Sequence, residues 1–219
     1  MLFSSFTQTM THHNRWIVSF MSTQYSISKI ATTNLPSVHG DLTVVAYRNQ
    51  ETGHEPVAIH NIAVESEIPV VVRVHDACFT SEVLGSKKCD CKQQLDYAIS
   101  YIQEHGGILI YMHQEGRGIG LANKIAAYSL QEQGMDTVEA NRALHLPDDA
   151  RSYNDAIAIL QSLNINKISL MTNNPRKISM FQDAGIEIEN RIPIEVPSSS
   201  ESEQYLQTKK HKMGHILKL

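Results

Sequence analysis

The chain has 219 residues, of which 42% are hydrophobic and 19% charged, and its formal net charge at pH 7 is −4. This composition is typical of a soluble globular protein with a proper core, in one large or two small domains. The acidic balance argues against a general nucleic-acid binder, and the lack of a run of about 18 apolar residues argues against a membrane span.

The first 20 residues lack a basic start followed by an apolar stretch, so they do not resemble a secretory signal. A second methionine, Met21, precedes a polar run. We therefore expect residues 1–20 to be an extension or an upstream start choice with a mobile tip, and residues 21–219 to form the domain. The alternative is an arm that docks on a partner subunit through Phe3, Trp16 and Phe20.

Residues 25–48 and 55–64 contain β-branched and apolar runs, and a turn composition at 49–53 separates them. This pattern predicts antiparallel strands joined in a hairpin. Residues 69–74 predict another strand, which carries Arg73 towards a cluster of cysteines.

All three cysteines of the chain, Cys78, Cys89 and Cys91, lie in this one short stretch. Thiolates bind zinc at roughly 2.3 Å, and three of them leave open the tetrahedral corner that distinguishes catalytic from structural sites. A water in that corner has a pKa near roughly 7. Cysteines that merely fill a core would not have so many polar neighbours. A structural zinc whose fourth ligand is His75 or a more distant histidine stays open.

The cysteine count also bears on the compartment. An odd number of closely spaced cysteines does not form a disulfide framework. Reduced thiolates on a metal ion fit the cytoplasm, where we expect the protein to be located.

A helix is predicted from Cys91 to the glycines at 106–107, followed by a strand at 108–111. The segment 113–120 is rich in glycine and precedes a helix from Leu121 to about Gln133. A strand, a glycine-rich turn and a helix N-terminus together predict an anion site. Glycines often just make a turn, but Glu115 and Arg117 beside them favour a nucleotide.

Helical spacing places Tyr128 on one stripe with Leu121 and Ile125, which favours a core tyrosine. Further on, Ser152 and Asp155 resemble a capping box for a helix that follows them. Taken alone, the pattern predicts that Asp149 and Arg151, in the preceding loop, form a solvated capping pair.

The segment 167–171 predicts a strand that leads into a polar loop at 172–177, where α/β proteins place ligand contacts. A helix at about 176–184 follows, then an evenly spaced apolar strand in which Pro193 indicates an edge or a bulge, and a basic terminal helix at 205–219. The order of elements predicts an α/β (mixed α+β) fold, a single domain with mixed β-sheets flanked by helices.

These motifs together resemble GTP cyclohydrolase II, the enzyme that commits GTP to riboflavin synthesis. The resemblance runs from about Tyr25 to the C-terminus, although family members often carry arginine at the position of His113. The motifs that carry it are Arg73-Val-His-Asp-Ala-Cys78, Cys89-Asp-Cys91, His113-Gln-Glu-Gly-Arg-Gly-Ile-Gly-Leu121, Asn123-Lys124, Asp136-Thr-Val-Glu-Ala-Asn141, Asp149-Ala-Arg151, Thr172-Asn-Asn-Pro175 and Lys212-Met-Gly-His215.

The resemblance implies a reaction in which GTP loses pyrophosphate and C8 leaves as formate, giving 2,5-diamino-6-ribosylamino-4(3H)-pyrimidinone 5′-phosphate. It implies one Zn²⁺ per subunit acting on the base, Mg²⁺ with the triphosphate, and a homodimer. The synthase domain fused to the enzyme in some organisms is expected to be absent from a chain of this length.

The resemblance also assigns residues. Cys78, Cys89 and Cys91 bind zinc, Asp149 is the proton acceptor, Arg151 the nucleophile, and Tyr128 assists near the phosphates. The contacts to GTP come from Arg73, Val74, His75, Asp76, Ala77, Gln94, Glu115, Gly116, Arg117, Thr137, Thr172 and Lys177.

Two roles stay open. A guanidinium has a pKa above roughly 12, so either Asp149 deprotonates Arg151 transiently, or Arg151 stabilises charge while water attacks the α-phosphate. Glu115 is a candidate for selecting guanine over adenine. The rival functions are a zinc-stabilised nucleotide-binding module without catalysis, and a relative that removes only pyrophosphate. A nucleic-acid-binding zinc protein is disfavoured by the cysteine spacing.

Overall fold

The structure is a computed structural model that describes residues 27–61, 69–196, 206–211 and 214–217. The predicted extension at 1–20 lies outside these ranges. The described strands are β1 (Ile27–Ser37), β2 (Gly40–Asn49), β3 (Val57–His60), β4 (Val70–Asp76), β5 (Ile108–Met112), β6 (Lys167–Met171) and β7 (Glu187–Ile192). The described helices are α1 (Phe79–Glu82), α2 (Cys91–His105), α3 (Leu121–Gln131), α4 (Thr137–Ala143), α5 (Asn154–Ser162) and α6 (Pro175–Asp183), with a 3-10 turn at Glu115–Gly118. Residues 206–211 are also helical.

One half of the sheet is antiparallel. The strands β1, β2, β3 and β5 lie side by side in that order, each antiparallel to the next. Asn49 closes the turn between β2 and β3, because its side-chain oxygen accepts the N–H groups of Glu51 and Thr52. The predicted hairpin is therefore confirmed.

The other half is parallel, in the order β5, β4, β6 and β7. From β4 the chain crosses to β5 on one side and then to β6 on the other. A reversal of this kind opens a crevice at the carboxyl ends of the strands, where α/β proteins bind ligands. The β7 strand lies at the edge and is followed by Pro193, as predicted. Within the described ranges the α/β fold is confirmed, with one mixed sheet flanked by helices.

Hydrophobic cores lie on both faces of the sheet. On one face Ile157 and Phe181, from α5 and α6, pack over Ile108 and Ile110. On the other face the helix α2 packs over Leu109 with its buried apolar residues. Successive residues of β5 therefore face opposite cores, as the two-residue period of a strand requires.

The predicted capping box at Ser152 and Asp155 is wrong. The helix α5 begins at Asn154, and the carboxylate of Asp155 instead accepts a 2.6 Å hydrogen bond from the side chain of Asn49. The actual capping box belongs to α4, where Asp136 accepts backbone N–H groups and Glu139 accepts the N–H of Asp136. The helix α4 was not predicted.

The predicted terminal helix at 205–219 is too long. Residues 206–211 are helical, but residues 214–217 are not. The short helix α1 and the 3-10 turn were also missed, since each has only four residues. In the parts of the chain that the structure describes, no helix combines the length and the apolar character that crossing a membrane requires.

Candidate active site

A cavity of about 310 Å³ opens at the carboxyl ends of β4, β5 and β6, a volume within the usual range for ligand sites of roughly 300–1,000 Å³. All the predicted site residues line it except Val74 and Asp149. Those that do are Arg73, His75, Asp76, Ala77, Cys78, Cys89, Cys91, Gln94, Glu115, Gly116, Arg117, Tyr128, Thr137, Arg151, Thr172 and Lys177. The Val74 side chain is fully buried in the core, so only its backbone can reach a ligand.

The three cysteines form one end of this cavity, which we call the cysteine end. Their sulfur atoms all lie within 4.8 Å of one another, and the sulfurs of Cys78 and Cys89 are 3.7 Å apart. Two sulfurs bound to one tetrahedral zinc ion at roughly 2.3 Å lie about 3.8 Å apart. The donor set and its spacing therefore fit zinc.

No histidine or carboxylate joins this group within residues 27–61, 69–196, 206–211 and 214–217. The Nε2 atom of His75 lies 2.9 Å from the carboxylate of Glu82 instead. Among the described residues the group thus offers three protein ligands, and His75 is not a fourth.

Hydrogen bonds among the three thiols shift their pKa values in opposite directions. Hydrogen bonds from Cys89 and Cys91 lower the pKa of Cys78, and the corresponding contacts with Cys78 raise the pKa values of Cys89 and Cys91. Of the three thiols, these hydrogen bonds therefore favour Cys78 as the thiolate.

Glu82 fixes the backbone that carries the first cysteine. Its carboxylate accepts the backbone N–H of Cys78 at 2.9 Å and the hydroxyl of Tyr111 at 2.6 Å. Burial alone would raise the pKa of Glu82, but the hydrogen bonds from His75 and Tyr111 bring it below its usual value. Glu82 was not predicted from the sequence, because a single glutamate in a short helix has no recognisable pattern.

The glycine-rich loop passes so close to a neighbouring segment that one of its positions requires glycine. Gly118 has a φ of +86°, and a Cβ atom there would lie 2.9 Å from the carbonyl carbon of Ala150. At this close approach the N–H of Ala150 donates to the carbonyl of Arg117. The loop is thereby joined to the segment that carries Asp149 and Arg151.

At the second end of the cavity the lining residues are Asp76, Arg151 and Lys177. We call these three residues, together with Asp149, which contacts Arg151, the arginine end. The Arg151 guanidinium donates to Asp76 at 2.8 Å and, through two nitrogens, to Asp149 at 2.7 and 3.0 Å. Lys177 donates to Asp76 at 3.2 Å and to the carbonyl of Val74 at 2.7 Å. The side chains of Arg151 and Asp149 are only 12% and 13% exposed, so the solvated pair predicted from the pattern alone is wrong.

These contacts determine the charges at the arginine end. Burial alone would lower the pKa of Arg151, but the hydrogen bond to Asp149 and the charge of Asp76 raise it well above its ordinary value. Burial lowers the pKa of Lys177 to about 7, against the opposing charge of Asp76. The guanidinium of Arg151 is thus a permanent cation, whereas Lys177 can lose its proton near neutral pH.

Two residues that were not predicted from the sequence, Tyr153 and Arg176, support the arginine end. Tyr153 is fully buried, and its hydroxyl donates to Asp76 at 3.4 Å. Arg176, at the start of α6, contacts the carboxylate of Asp149 at 3.3 Å. A tyrosine beside a loop resembles an ordinary core residue, so the sequence gives no signal for it.

Tyr128 lies at the cysteine end of the cavity. The core stripe predicted for it is wrong, because Leu121 and Ile125 are 38% and 49% exposed. Its ring lies 4.7 Å from the Nζ atom of Lys88 and 5.7 Å from that of Lys124. Burial raises the pKa of its hydroxyl, so Tyr128 is protonated at neutral pH and can donate a hydrogen bond.

A chain of hydrogen bonds runs from Arg73, in the wall of the cavity, to Lys209 near the C-terminus. Arg73 donates to Gln94 at 2.9 Å, Gln94 donates to Asp90 at 2.6 Å, and Asp90 accepts from Lys209 at 2.9 Å. Through Lys209 the C-terminal segment, of which residues 206–211 and 214–217 are described, is held against the cavity. Neither Asp90 nor Lys209 was predicted, since their separation in sequence conceals the contact.

The remaining predicted residues lie at element ends around the cavity. Thr137 opens α4, and the Thr172 hydroxyl accepts the N–H of Asn174 at 3.1 Å just beyond β6. His215 from the C-terminal segment also lines the cavity, and burial lowers its pKa to about 4, assisted by the charge of Lys209.

Comparison with known proteins identifies the family. The GTP cyclohydrolase II family model matches residues 28–193. The chain is 47% identical over 192 residues to GTP cyclohydrolase-2 of Neisseria gonorrhoeae, an alignment that covers 87% of this chain and 97% of that protein.

Two further relatives are larger. Riboflavin biosynthesis protein RibBA of Endomicrobium trichonymphae is 45% identical over 197 residues, or 90% of this chain and 49% of that protein. RibBA of a Bacillus cytotoxicus strain is 45% identical over 194 residues, or 88% and 49%. The chain spans about half the length of these two relatives. With matches over most of its length to the family model and to these relatives, the chain belongs to the GTP cyclohydrolase II family.

Proposed function

We propose that this protein is a GTP cyclohydrolase II of riboflavin biosynthesis. It hydrolyses GTP, opens the imidazole ring, and releases formate and pyrophosphate to give 2,5-diamino-6-ribosylamino-4(3H)-pyrimidinone 5′-phosphate. Cys78, Cys89 and Cys91 hold one Zn²⁺, and Mg²⁺ arrives with the triphosphate.

The observation that carries this proposal is the three-sulfur group in the wall of a cavity that also contains the arginine end. A purely structural zinc site is normally closed by four protein ligands. Three ligands facing a cavity match a site that keeps one position for solvent or substrate. When bound, the zinc ion supplies a Lewis acid that activates water at neutral pH.

Cations around the cavity suit a triphosphate. Arg117, Arg151 and Lys177 line it, and neutralising phosphate charge accounts for much of the catalysis of phosphoryl transfer. The cysteines are the only group of potential metal ligands in the described residues. We therefore expect Mg²⁺ to bind mainly through phosphate oxygens, as it often does.

The contacts of Arg151 favour one of its two possible roles. Its guanidinium is held between Asp76 and Asp149, which keep it protonated. We propose that Arg151 stabilises the charge of the α-phosphate while water attacks, with Asp149 as the proton acceptor. Trapping a guanylyl-enzyme labelled at Arg151 would overturn this assignment in favour of covalent catalysis.

Glu115 is less available for reading guanine than its position in the sequence indicated. One carboxylate oxygen accepts from Lys124 at 2.7 Å and from the N–H of Gly116 at 3.0 Å, and the other accepts the N–H of Phe79 at 2.6 Å. The prediction that Glu115 selects guanine can be tested with Glu115→Gln. An unchanged preference for GTP over ATP would remove this role.

The decisive experiment measures metal content together with formate and pyrophosphate release from GTP, on wild type and Cys89→Ser. We expect about one zinc ion per subunit and both products from wild type, and loss of zinc and formate from Cys89→Ser. Pyrophosphate without formate from wild type, with activity that survives Cys89→Ser, would identify a pyrophosphate-releasing relative. Binding of GTP without either product would identify a binding module.

We also propose a homodimer in a reducing compartment such as the cytoplasm. The oligomer is proposed from the family resemblance, and the compartment from the need to keep three neighbouring thiols reduced. Light scattering of the purified protein would test the dimer, and a monomer at micromolar concentration would contradict it.

A further inference from the structure

Lys124, the fourth residue of α3, reaches the cysteine end. Its Nζ atom lies 3.1 Å from the sulfur of Cys78 and 2.9 Å from the hydroxyl of Thr80. The same atom lies 2.7 Å from the carboxylate of Glu115. The side chain is only 11% exposed, so these three contacts fix the ammonium group in place.

The glycine-rich loop makes room for this lysine. A Cβ atom on Gly116 would lie 3.1 Å from the Cβ of Lys124 and 3.0 Å from a side-chain carbon of Ile119. Glu115 precedes this glycine and accepts the N–H of Phe79, the residue after Cys78. Lys124 and Glu115 therefore connect the loop to the turn that carries the first cysteine.

The chemistry of a three-thiolate site gives a reason for a cation at this point. A divalent ion with three thiolates has a net charge of −1, and strong donation by sulfur weakens the ion as a Lewis acid. Hydrogen bonds to metal ligands orient them and tune the metal. A charged N–H donor to sulfur withdraws electron density from the ligand, and its positive charge offsets the excess negative charge.

We propose that Lys124 is a positioning residue for the metal site: it donates to the sulfur of Cys78, which limits electron donation from that sulfur, and it fixes the cysteine turn to the glycine-rich loop through Glu115. This inference rests on the proposed zinc-dependent function. Lys88 also lies close to Tyr128, but its contacts differ from those of Lys124. Lys88 contacts the ring of Tyr128 and the carboxylate of Glu132.

The test uses the full chain loaded with Co²⁺ in place of zinc, and compares wild type with Lys124→Met, Lys124→Gln and Lys124→Arg. Hydrogen bonds to sulfur stabilise its lone pairs, so their loss should shift the sulfur-to-cobalt charge-transfer band to lower energy. We expect the largest shift for Lys124→Met, a smaller one for Lys124→Gln, which keeps a neutral donor, and the smallest for Lys124→Arg. Formate release by the zinc forms should fall in the same order, by roughly 10–100-fold for Lys124→Met.

Lys92→Met is the matched control. Lys92 follows Cys91 directly, but its ammonium pairs with Asp96 on the surface of α2. We expect this variant to have the band and the activity of wild type. If Lys124→Met does not bind cobalt, the charge-transfer band of Lys124→Gln is compared with that of wild type instead, and an unshifted band contradicts the role of Lys124.

The outcomes separate this inference from the proposed function. Wild type that binds no metal, or that releases no formate, contradicts the proposed function itself. Wild type that does both, with cobalt bands and formate release unchanged in the Lys124 variants, overturns the role of Lys124 alone.

Discussion

The cysteine end and the arginine end of the cavity differ in how their charges are matched. At the arginine end two carboxylates face two cations, and each charged group contacts one of opposite sign. At the cysteine end three sulfurs lie together, and Lys124 contacts the sulfur of Cys78 and the carboxylate of Glu115. At the arginine end the protein itself therefore supplies a partner of opposite sign for each charged group. At the cysteine end an added cation is needed to hold three thiolates.

We infer from this difference that the arginine end depends on charge pairing during folding, whereas the cysteine end depends on metal binding. Charges that become buried must have partners of opposite sign when the chain folds, because an unpartnered buried charge is costly. A thiol group can fold protonated and gain its metal afterwards. We expect substitutions at the arginine end to affect stability and activity together, and those at the cysteine end to act mainly through metal binding.

The largest effect on stability is expected from Arg151→Met. This change leaves the carboxylates of Asp76 and Asp149 without their shared cation, and breaking a buried ion pair costs roughly 3–5 kcal/mol. Urea unfolding should show this loss, and GTP turnover should fall as well. Arg48→Met is the control, because Arg48 pairs with Glu55 at the surface, where such pairs contribute about 0–1 kcal/mol. Equal stability of the two variants would contradict the charge-linked arginine end.

Zinc removal is expected to have the next largest effect. A ligand that binds only the folded state stabilises it by about 2.7 kcal/mol at a free concentration of 100 times its Kd. Wild type should lose this amount when zinc is removed by a chelator. Cys91→Ser should unfold at the same urea concentration with and without zinc. An equal gain from zinc in both proteins would place the metal elsewhere.

The two ends also differ in how well the sequence predicted them. The cysteine end was predicted from residues alone, because three cysteines in one stretch are a chemical signal that survives without tertiary structure. The strands β4, β5 and β6 were predicted from their apolar runs, and their order in a parallel sheet places their carboxyl ends together.

The arginine end could not be derived from pattern. Asp149 and Arg151 are two residues apart in a loop, a spacing that an exposed pair would share, and only the resemblance to a family indicated a site. Their burial depends on Asp76 and Lys177, which come from distant parts of the chain. The prediction of a capping box at Ser152 was wrong for the same reason, because the carboxylate of Asp155 accepts a hydrogen bond from Asn49, a residue distant in sequence.

Lys177 provides a pH test of the arginine end. In the unfolded chain its pKa is about 10.4, whereas burial lowers the folded value to about 7. Between these values only the unfolded state binds the proton, so this group makes stability rise with pH by about 1.4 kcal/mol per unit. Below about pH 7 both states are protonated and the dependence disappears.

Lys177→Met should therefore lose this slope. Wild type should gain stability relative to the variant between pH 7 and pH 8.5, measured by urea unfolding. Lys167→Met is the control, because Lys167 lies near the surface and pairs with Glu187 and Glu189. Lys167 keeps its proton between pH 7 and pH 8.5 in both the folded and the unfolded protein. Parallel curves for wild type and Lys177→Met would show that Lys177 stays charged when buried.

The smallest effect is expected from Lys209→Met, which tests whether the C-terminal segment belongs to the cysteine end. Lys209 donates to Asp90, the residue between two of the cysteines, so its loss should loosen the segment without removing a metal ligand. We expect unchanged zinc content and a KM for GTP raised about fivefold, since a single hydrogen bond contributes roughly 1 kcal/mol. Lys210→Met should retain the wild-type KM. Loss of zinc from Lys209→Met would show instead that Asp90 needs this partner to hold the two cysteines in position.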